Sequence, residues 1–307
     1  MEKVIVVIGP TSVGKTKMGV ALAKKFNGEV ISGDSMQIYK QMDIGTAKVT
    51  EEEKEGIIHH CVDILNPDET YSVHDFQQTV RKKITEITQR GHVPIIVGGT
   101  GLYIKAALYD YQFDEMENDH HAINEKYKDY TNEQLHDHLK SIDEESAKIL
   151  HFNNRRRVLR AIEIYETTGK RKSEMLEEQE HICLYDAYFV GLTLHRDVLY
   201  ERINKRVDVM MENGLKEEME RLYSQGLTRN HQSMKAIGYK EWFDYYDHQI
   251  DLNDVLELIK KHSRQYAKRQ YTWFKNQFDV HWYDVNLENF EQTIEQVTDD
   301  IEKILKV

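Results

Sequence analysis

The chain has 307 residues, of which 40% are hydrophobic and 31% are charged, and these values are ordinary for a globular protein. No apolar stretch approaches the ~18 residues of a membrane-spanning helix, and the first strand begins too early to leave room for a signal peptide. The formal net charge of −12 argues against nonspecific binding of nucleic acid, unless basic residues cluster locally. We therefore expect a soluble, cytoplasmic enzyme.

The first predicted elements are a strand and a helix joined by a glycine-rich loop. The apolar run Val4–Ile8 predicts a buried strand, and Lys17–Phe26 has the spacing of an amphipathic helix. Between them, residues 9–16 read GPTSVGKT, which fits G-x-x-x-x-G-K-[ST], the phosphate-binding loop (P-loop). Its glycines let backbone N–H groups curl around an anion, Lys15 adds a positive charge, and the Thr16 hydroxyl can bind Mg²⁺. The sequence therefore predicts binding of a di- or triphosphate.

Strands and helices continue to alternate over the first hundred residues. Short apolar runs predict strands at Glu29–Ser32 and Val93–Val97. Helical spacing predicts helices over Val73–Arg90, with Ser72 as the N-cap, and over Leu102–Leu108. Residues 36–70 are predicted to be irregular. This alternation is typical of a parallel sheet covered by helices.

The pattern changes at about residue 114. Residues 114–182 are rich in His, Glu and Lys and contain no predicted strand, so we interpret them as a helical insertion domain. Residues 1–113 and 183–307 then form an α/β core, a P-loop NTPase-like parallel sheet flanked by helices. Strands in its second half are predicted at Asp186–Leu194 and Val280–Tyr283. The helices predicted there are Asp197–Met211, Leu215–Gln225, Leu252–Asn276 and Leu287–Leu305.

Polar residues follow three of the predicted strands. The glycine-rich loop follows the first strand, Asp34 follows the second, and Thr100 follows the third. Open parallel sheets bind ligands at the carboxyl ends of their strands, so Asp34 should face the same crevice as Lys15. A general-base or Mg²⁺-ligand role for Asp34 stands beside the alternative of a loop or helix-cap aspartate. Thr100 has the similar alternative of capping the next helix.

Basic residues cluster in two places against the acidic background. One cluster lies within residues 155–172, and the other lies within residues 260–275 of the long C-terminal helix. The second includes four residues spaced i, i+4, i+7 and i+11, namely Arg264, Lys268, Tyr271 and Lys275. This spacing predicts one shared helical face, whose tyrosine could stack on a base. The alternative is two solvated basic faces without a partner.

Seven short motifs occur in a fixed order: GPTSVGKT at 9–16, SGDSMQIYK at 32–40, MDIGTAK at 42–48, YSVHDF at 71–76, VGGTGLY at 97–103, IGY at 237–239 and KRQYTW at 268–273. Together they closely resemble the bacterial tRNA dimethylallyltransferase family, also called tRNA isopentenyltransferases. The resemblance covers nearly the whole chain. Two departures are Val49, where the family often has proline, and the stretch 114–130, which matches poorly.

This resemblance implies an activity. The family transfers a dimethylallyl group from dimethylallyl diphosphate to N6 of adenosine 37 in tRNA, next to the anticodon, and forms N6-isopentenyladenosine. The loop would then hold a prenyl diphosphate rather than ATP. Mg²⁺, bound by Thr16, is the implied cofactor. The implied partners are the tRNA anticodon stem-loop and dimethylallyl diphosphate, without a membrane, and we expect a monomer.

The resemblance also implies roles for individual residues. Asp34 would be the base at N6, and Thr16 the second catalytic residue, while the adenine is flipped into the crevice. The residues implied to bind the diphosphate are Gly9, Thr11, Ser12, Val13, Gly14, Lys15, Thr16 and Arg206. The residues implied to bind tRNA are Asp34, Ser35, Met36, Gln37, Thr100, Arg156, Arg157, Arg160, Lys235, Lys240, Lys268, Arg269, Tyr271 and Lys275.

Three alternative functions share some of these features. A P-loop small-molecule kinase has the same loop and sheet but needs no long basic C-terminal helix, and phosphoryl transfer from ATP would reveal it. An adenylate isopentenyltransferase would accept free AMP or ATP as readily as tRNA. A non-enzymatic RNA-binding P-loop protein would bind tRNA and leave the adenosine unmodified.

Overall fold

A six-stranded parallel sheet organises the larger part of the protein. The computed structural model describes residues 1–111, 120–177 and 181–305. The strands are β1 (Lys3–Ile8), β2 (Gly28–Ser32), β3 (His59–His60), β4 (Val93–Val97), β5 (Asp186–Thr193) and β6 (His281–Asp284). Their order across the sheet is β3-β2-β4-β1-β5-β6, and every neighbouring pair is parallel. The predicted α/β fold with a parallel sheet is confirmed.

The strand β1 is buried on both faces of the sheet. Successive side chains of a strand point to opposite faces, and those of β1 enter two different hydrophobic clusters. The first cluster contains Val4, Val6 and Ile8, and the second contains Ile5 and Val7. An uninterrupted apolar run is what a strand needs when helices cover both faces of its sheet.

Helices cover both faces of this sheet. The helices of the described ranges, in chain order, are α1 (Lys15–Lys25), α2 (Glu51–Lys54), α3 (Val73–Gln89), α4 (Gly101–Leu108), α5 (His120–Lys126), α6 (Asn132–Ile142), α7 (Glu144–Ile149), α8 (Arg155–Thr168), α9 (Lys172–Glu177), α10 (Arg196–Glu212), α11 (Leu215–Ser224), α12 (Trp242–Tyr246), α13 (Leu252–Gln277) and α14 (Phe290–Leu305), of which α5–α9 belong to a second unit described below. Helices α1 and α14 pack on the face of Ile5, and α3 and α4 pack on the face of Val4. None of the helices in these ranges combines the length and hydrophobicity needed to cross a lipid bilayer.

The helix α3 shows how local sequence sets an element. Ser72 caps it as predicted, because its hydroxyl accepts a hydrogen bond from the backbone N–H of Asp75 (3.1 Å). Val80, Ile84 and Ile87 lie on its buried face, at the spacing of one helical stripe. The helix ends before Gly91, whose positive φ of 77° is accessible to glycine at little cost.

Residues 36–70, predicted to be irregular, contain two short elements. Helix α2 follows Thr50, which forms a reciprocal capping box with Glu53. The two residues of β3 pair with Val30 and Ile31 at the edge of the sheet. The prediction was wrong for these residues because neither element is long enough to show a hydrophobic period.

The C-terminal third differs from the prediction at two points. Helix α14 begins at Phe290 rather than Leu287, because the Asn286 side chain accepts hydrogen bonds from the backbone N–H groups of Glu288 and Asn289 (both 3.0 Å) and forms a turn. The short helix α12 was not predicted as an element. Its Trp242 side chain is fully buried in the core.

Residues Asp110–Ile182 form a second compact unit, separate from the unit of Met1–Tyr109 and Cys183–Val307. Its described residues are helical, from α5 to α9, and contain no strand. Leu135, Leu139, Val158 and Ile162 form its core. The two ends of the unit are adjacent, since Asp110 N–H donates to the Ile182 carbonyl (3.0 Å). The predicted insertion began at residue 114, which lies outside the described residues.

Candidate active site

The carboxyl ends of β2, β4 and β1 are neighbours in the sheet, and they bring three polar segments together. These segments are residues 9–16, 33–37 and 98–100. Gly33 and Gly98 permit the closest approach, since a Cβ on Gly98 would lie only 2.4 Å from the backbone of Gly33. The Thr100 hydroxyl accepts a hydrogen bond from the N–H of Ser35 (3.2 Å) rather than capping α4. We call the space bordered by these segments the strand-end crevice.

The Gly9–Thr16 loop bends sharply between β1 and α1. Gly9 and Gly14 have φ angles of 145° and 102°, which favour glycine, and a Cβ on Gly9 would lie 2.5 Å from the Leu192 carbonyl oxygen. The Val13 side chain is buried in the core, so only its backbone can face a ligand. The Ser12 hydroxyl oxygen is buried without a hydrogen-bond partner among the described residues. Because buried polar groups are normally paired, this hydroxyl indicates a place for a polar ligand.

Lys15 begins α1 and bends back over the loop. Its Nζ donates hydrogen bonds to the carbonyl oxygens of Gly9 (3.0 Å) and Pro10 (2.7 Å). The pKa of Lys15 is lowered from 10.5 to about 7, first by burial and second by the charge of Arg206, while the charge of Asp34 opposes both. The ammonium group is therefore short of negative charge, and a bound anion would supply it.

Helix α10 brings two arginines to the same loop. The Arg206 Nη1 donates to the Thr11 hydroxyl (2.9 Å), and the Arg202 Nε donates to the Ser12 carbonyl (3.0 Å). Burial lowers the pKa of the Arg206 guanidinium, and the charge of Asp34 partly offsets this. Arg206, like Lys15, forms no ion pair with a carboxylate in the described part of the chain. Two half-buried cations thus border the loop, and the charge of Asp34 acts on both without forming an ion pair with either among the described residues.

Asp34 occupies the turn that follows β2. Its Oδ1 accepts hydrogen bonds from the backbone N–H groups of Met36 (2.8 Å) and Gln37 (3.4 Å). Its Oδ2 has no hydrogen-bond partner among the residues that the structure describes. The two readings of Asp34 are compatible, because one oxygen shapes the turn and the other is open to a ligand. The predicted lining residues Ser35, Met36 and Gln37 are all half-buried in this turn.

The amide group of Gln37 has a structural partner. Its Nε2 donates to the carbonyl oxygens of Ala47 (3.2 Å) and Thr46 (3.4 Å), within the segment 42–48. The same segment is held from the other side by Glu218, a buried residue of α11. The Gln37 side chain therefore connects the turn of Asp34 to a neighbouring loop, whatever its role towards tRNA.

Glu218 was not identified from the sequence. Its Oε2 accepts from the N–H groups of Asp43 and Ile44 (both 2.9 Å), and the Tyr239 hydroxyl donates to its Oε1 (2.6 Å). Two of the sequence motifs, MDIGTAK and IGY, therefore meet at one carboxylate. Tyr239 could be identified as a candidate from the sequence, because it lies in the motif IGY. No sequence pattern distinguished Glu218, since a glutamate in an amphipathic helix is normally exposed.

The predicted tRNA-binding face of α13 is exposed. Four of its residues are exposed to solvent, namely Lys268, Arg269, Tyr271 and Lys275. Lys268 and Tyr271 also line a groove of about 370 Å³ that reaches Pro10 of the loop. Arg264 differs, because it is half-buried and donates to the Asn204 side chain. Lys235 and Lys240, elsewhere in this unit, are exposed as well.

The second unit carries the other predicted tRNA-binding arginines, at the start of α8. Arg156 and Arg157 are exposed to solvent. Arg160 is half-buried and pairs with Glu163, with 2.8 Å between its Nη1 and the carboxylate. Arg155 donates to the carbonyl oxygens of Tyr127 and Tyr130 (both 2.6 Å), so it holds the unit together. Arg156 and Arg157 are therefore the arginines of this part of α8 that are accessible to a polyanion.

Comparison with known proteins identifies the family. Residues 37–277 match the family model described as IPP transferase. This chain belongs to the IPP transferase family. The tRNA dimethylallyltransferase of Bacillus cereus (strain AH187) is 55% identical over 287 residues, which cover 92% of this chain and 90% of the relative. The family resemblance inferred from the seven motifs is thus confirmed.

Two solved structures agree with this assignment. A crystal structure of tRNA delta(2)-isopentenylpyrophosphate transferase from Staphylococcus epidermidis is 47% identical, with a TM-score of 0.74 over 99% of both chains. A eukaryotic dimethylallyltransferase acting on tRNA is 33% identical, with a TM-score of 0.86 over 99% of this chain and 79% of that chain. The described fold is therefore the one that members of the IPP transferase family adopt.

The strand-end crevice of this IPP transferase offers few protein ligands to a metal ion. The described residues contain no group of three His, Cys, Asp or Glu side chains that could hold one. Mg²⁺ usually keeps several waters and takes one or two protein ligands together with phosphate oxygens, so it does not require such a group. The half-exposed hydroxyl of Thr16, at the start of α1 beside Lys15, suits that mode of binding. Thr16 therefore stays the candidate Mg²⁺ ligand.

Proposed function

We propose that this chain transfers the dimethylallyl group of dimethylallyl diphosphate to N6 of adenosine 37 in tRNA and so forms N6-isopentenyladenosine. The names of its relatives support the reaction, since the Bacillus cereus protein is a tRNA dimethylallyltransferase and the eukaryotic one acts on tRNA. Within this chain, the observation that carries the proposal is a pair of half-buried cations at the loop, Lys15 and Arg206, beside the open carboxylate oxygen of Asp34. The cations suit a leaving diphosphate, and the carboxylate suits a departing proton.

The diphosphate of the donor would bind the Gly9–Thr16 loop. Lys15 and Arg206 are two half-buried cations that share the charge of one carboxylate, Asp34, and a diphosphate would supply the negative charge that they lack. The unpaired hydroxyl of Ser12 could donate to a phosphate oxygen. Mg²⁺ on Thr16 would neutralise part of the charge on the diphosphate. Negative charge grows on the leaving group as its bond to carbon breaks, so these groups bind it most tightly in the transition state.

Asp34 would act on the acceptor. Adenine N6 is a weak nucleophile, because its lone pair is delocalised into the ring. The N6 lone pair forms the bond to C1 of the dimethylallyl group, and the electron pair of the C1–O bond leaves with the diphosphate. The N6 proton passes to the carboxylate of Asp34, whose orientation is set by the N–H groups of Met36 and Gln37. Adenosine 37 has to leave the anticodon stack to reach this crevice.

The exposed cations would position the tRNA. Lys268, Arg269 and Lys275 lie on one helix with Tyr271, and Arg156 lies on the second unit. Such residues bind phosphates and orient the nucleic acid without reading its sequence. A chain of net charge −12 needs local clusters of this kind to attract a polyanion. The monomeric state inferred from the sequence stays a prediction.

Mass spectrometry of tRNA nucleosides tests this function. Unmodified tRNA is incubated with the protein, Mg²⁺ and dimethylallyl diphosphate, and in parallel reactions AMP replaces tRNA or ATP replaces the prenyl donor. We expect N6-isopentenyladenosine at position 37 of the tRNA only when the prenyl donor is present. Equal conversion of AMP would favour an adenylate isopentenyltransferase, and phosphoryl transfer from ATP would favour a kinase. Tight tRNA binding without any product would contradict the proposal.

A further inference from the structure

Helix α13 has an inner face that packs on the turn after β4. Tyr266, Gln270 and Trp273 lie on this face at spacing i, i+4 and i+7. A Cβ on Gly101 would lie 2.1 Å from the Trp273 ring, and a Cβ on Gly99 would lie 2.2 Å from the Gln270 Nε2. The contact is therefore close enough that only glycine fits at both positions of the turn. The opposite face of the helix carries Lys268 and its exposed neighbours.

Gln270 is the polar centre of this contact. Its side chain is nearly inaccessible, at 5% exposure. The Oε1 accepts a hydrogen bond from the backbone N–H of Thr11 (2.9 Å), and the Nε2 donates one to the carbonyl oxygen of Gly99 (2.9 Å). The orientation of the amide is determined by these partners, since an N–H needs an acceptor and a carbonyl needs a donor. The oxygen and the nitrogen of the amide thus form hydrogen bonds with backbone groups that follow two different strands, β1 and β4.

These two backbone groups belong to opposite sides of the proposed reaction. Thr11 lies in the loop assigned to the donor, and its hydroxyl accepts from Arg206 (2.9 Å). Gly99 directly precedes Thr100, whose hydroxyl accepts from the N–H of Ser35 (3.2 Å), next to Asp34. The Gln270 side chain is therefore in contact both with the loop that binds Arg206 and with the turn that adjoins Asp34.

We propose that Gln270 is a positioning residue, which sets the distance between the diphosphate loop and the acceptor turn and links both to the helix that faces tRNA. The assignment of the two segments to donor and acceptor rests on the proposed function. The two hydrogen bonds of Gln270 do not. An apolar residue at this position would leave the Thr11 N–H and the Gly99 carbonyl buried and unpaired. The two segments would then be held apart or hydrated, and the cations and Asp34 would lose their relative placement.

The first test removes the amide. In Gln270→Leu, we expect the Kd for inorganic diphosphate with Mg²⁺ to rise about 10-fold, which is the typical result of leaving buried partners unpaired. The kcat for prenyl transfer should fall by a similar factor. The Kd for tRNA should stay within about 2-fold, because the exposed face of α13 is unchanged. Gln265→Leu, an exposed position of the same helix, is the matched control and should behave as the wild type.

The second test keeps the shape and changes one half of the amide. In Gln270→Glu, an ionised carboxylate can still accept from Thr11 but has no proton to donate to the Gly99 carbonyl. Once protonated, the carboxyl group can do both. Burial raises the pKa of such a group, and the neighbouring cations Lys15 and Arg206 lower it; because the ionised form also competes with diphosphate for Lys15, protonation restores both the hydrogen bond and the diphosphate site. The activity of this variant, divided by that of the wild type, should therefore increase as the pH falls from 8 to 5.5. Gln270→Leu should show no such recovery.

Several results would overturn this role. Diphosphate affinity and kcat of the wild-type level in Gln270→Leu would show that the bridge is dispensable. A flat activity ratio for Gln270→Glu across the pH range would show that the hydrogen bond to Gly99 does not matter. Equal losses of diphosphate and tRNA affinity, with a large drop in melting temperature, would indicate a general folding defect.

These outcomes are distinguishable from failure of the proposed function. If the wild type forms no isopentenyladenosine, the reaction is wrong, but weaker diphosphate binding in Gln270→Leu would still support the positioning of the loop. If the wild type modifies tRNA and Gln270→Leu matches it in every measurement, the reaction stands and the role of Gln270 is wrong.

Discussion

Glu29, a buried residue of β2, and Lys15, a half-buried residue at the start of α1, are both charged, but their surroundings differ. Glu29, in β2, accepts hydrogen bonds from Arg90 Nη2 (2.8 Å) and His60 Nε2 (2.6 Å), and His92 Nδ1 lies 3.1 Å from its carboxylate. Lys15, in the strand-end crevice, donates hydrogen bonds, within the described residues, only to the carbonyl oxygens of its own loop. One charge is thus fully compensated within the chain, and the other is not.

The pKa values reflect this contrast. Burial alone raises the pKa of Glu29, but the hydrogen bonds from Arg90 and His60 outweigh burial and hold it below its usual value. For Lys15, burial and, to a smaller extent, the charge of Arg206 together lower the pKa to about 7, against the opposing charge of Asp34. A charge that serves stability has its partners in the chain. A charge that serves a ligand is left for the ligand to neutralise, at some cost to stability.

The largest expected effect follows from removing the proposed base. Asp34→Ala should lower the rate of prenyl transfer by ~10²–10⁴-fold, the usual range for loss of a general base, while tRNA still binds. Single-turnover kinetics at saturating tRNA and donor measure this rate. Turnover close to that of the wild type would exclude Asp34 from proton transfer. Asp68→Ala, in the loop before α3, serves as a control for loss of a carboxylate elsewhere.

Neutralising Glu29 and neutralising Arg206 should change the stability of the protein differently. Glu29→Gln should lower the free energy of unfolding by about 2 kcal/mol, because it weakens hydrogen bonds between charged groups. Arg206→Met should leave the melting temperature unchanged or raise it, since it removes a half-buried cation that lacks an ion-pair partner among the described residues. Thermal unfolding without ligand measures both. Similar destabilisation by the two substitutions would contradict the contrast.

The Glu29 contribution should also depend on pH. Its folded pKa lies below the usual 4.5, so its stabilisation is complete above pH 4.5 and is lost as the pH falls through the folded pKa. The difference in unfolding free energy between the wild type and Glu29→Gln should therefore be constant near neutrality and shrink below pH 4.5. Urea unfolding over a series of pH values measures it. A difference that grows in acid would mean that the shift has the opposite sign.

The smallest expected effect concerns the exposed cations of α13. Replacing Lys268 and Lys275 by Gln should weaken tRNA binding almost equally for cognate and non-cognate anticodon loops, because phosphate contacts carry no sequence information. Each lost contact should reduce the log–log salt slope of affinity by about 0.7–0.9. A salt titration of affinity measures this. If the double variant binds tRNA as tightly as the wild type at every salt concentration, the tRNA binds to another surface.

The sequence predicts best what its local patterns contain. Strand β1, the loop and α1 are adjacent in the chain, so an apolar run, two glycines and Lys15 sufficed to place them. The position of Asp34 near the loop was predicted because the carboxyl ends of parallel strands lie at the same edge of a sheet. The roles of these residues towards substrate stay predictions.

Contacts between distant parts of the chain could not be predicted. Gln270 and Thr11 are 259 positions apart, and nothing in an amphipathic helix indicates which loop one of its glutamines will contact. Glu218 is likewise 175 positions from Asp43. The lack of an ion-pair partner for Lys15 and Arg206 among the described residues could not be predicted either, since a sequence does not show which charged residues are paired.

Calorimetric titration with inorganic diphosphate in the presence of Mg²⁺ tests most directly whether the unpaired cations form the donor site. The wild type and Glu29→Gln should bind with similar affinity at a temperature where both are folded, because Glu29 is compensated within the chain. Arg206→Met and Lys15→Met should each bind at least ~10-fold more weakly, the expected loss for a charge-assisted contact. Undiminished diphosphate binding by both cation variants would contradict the account.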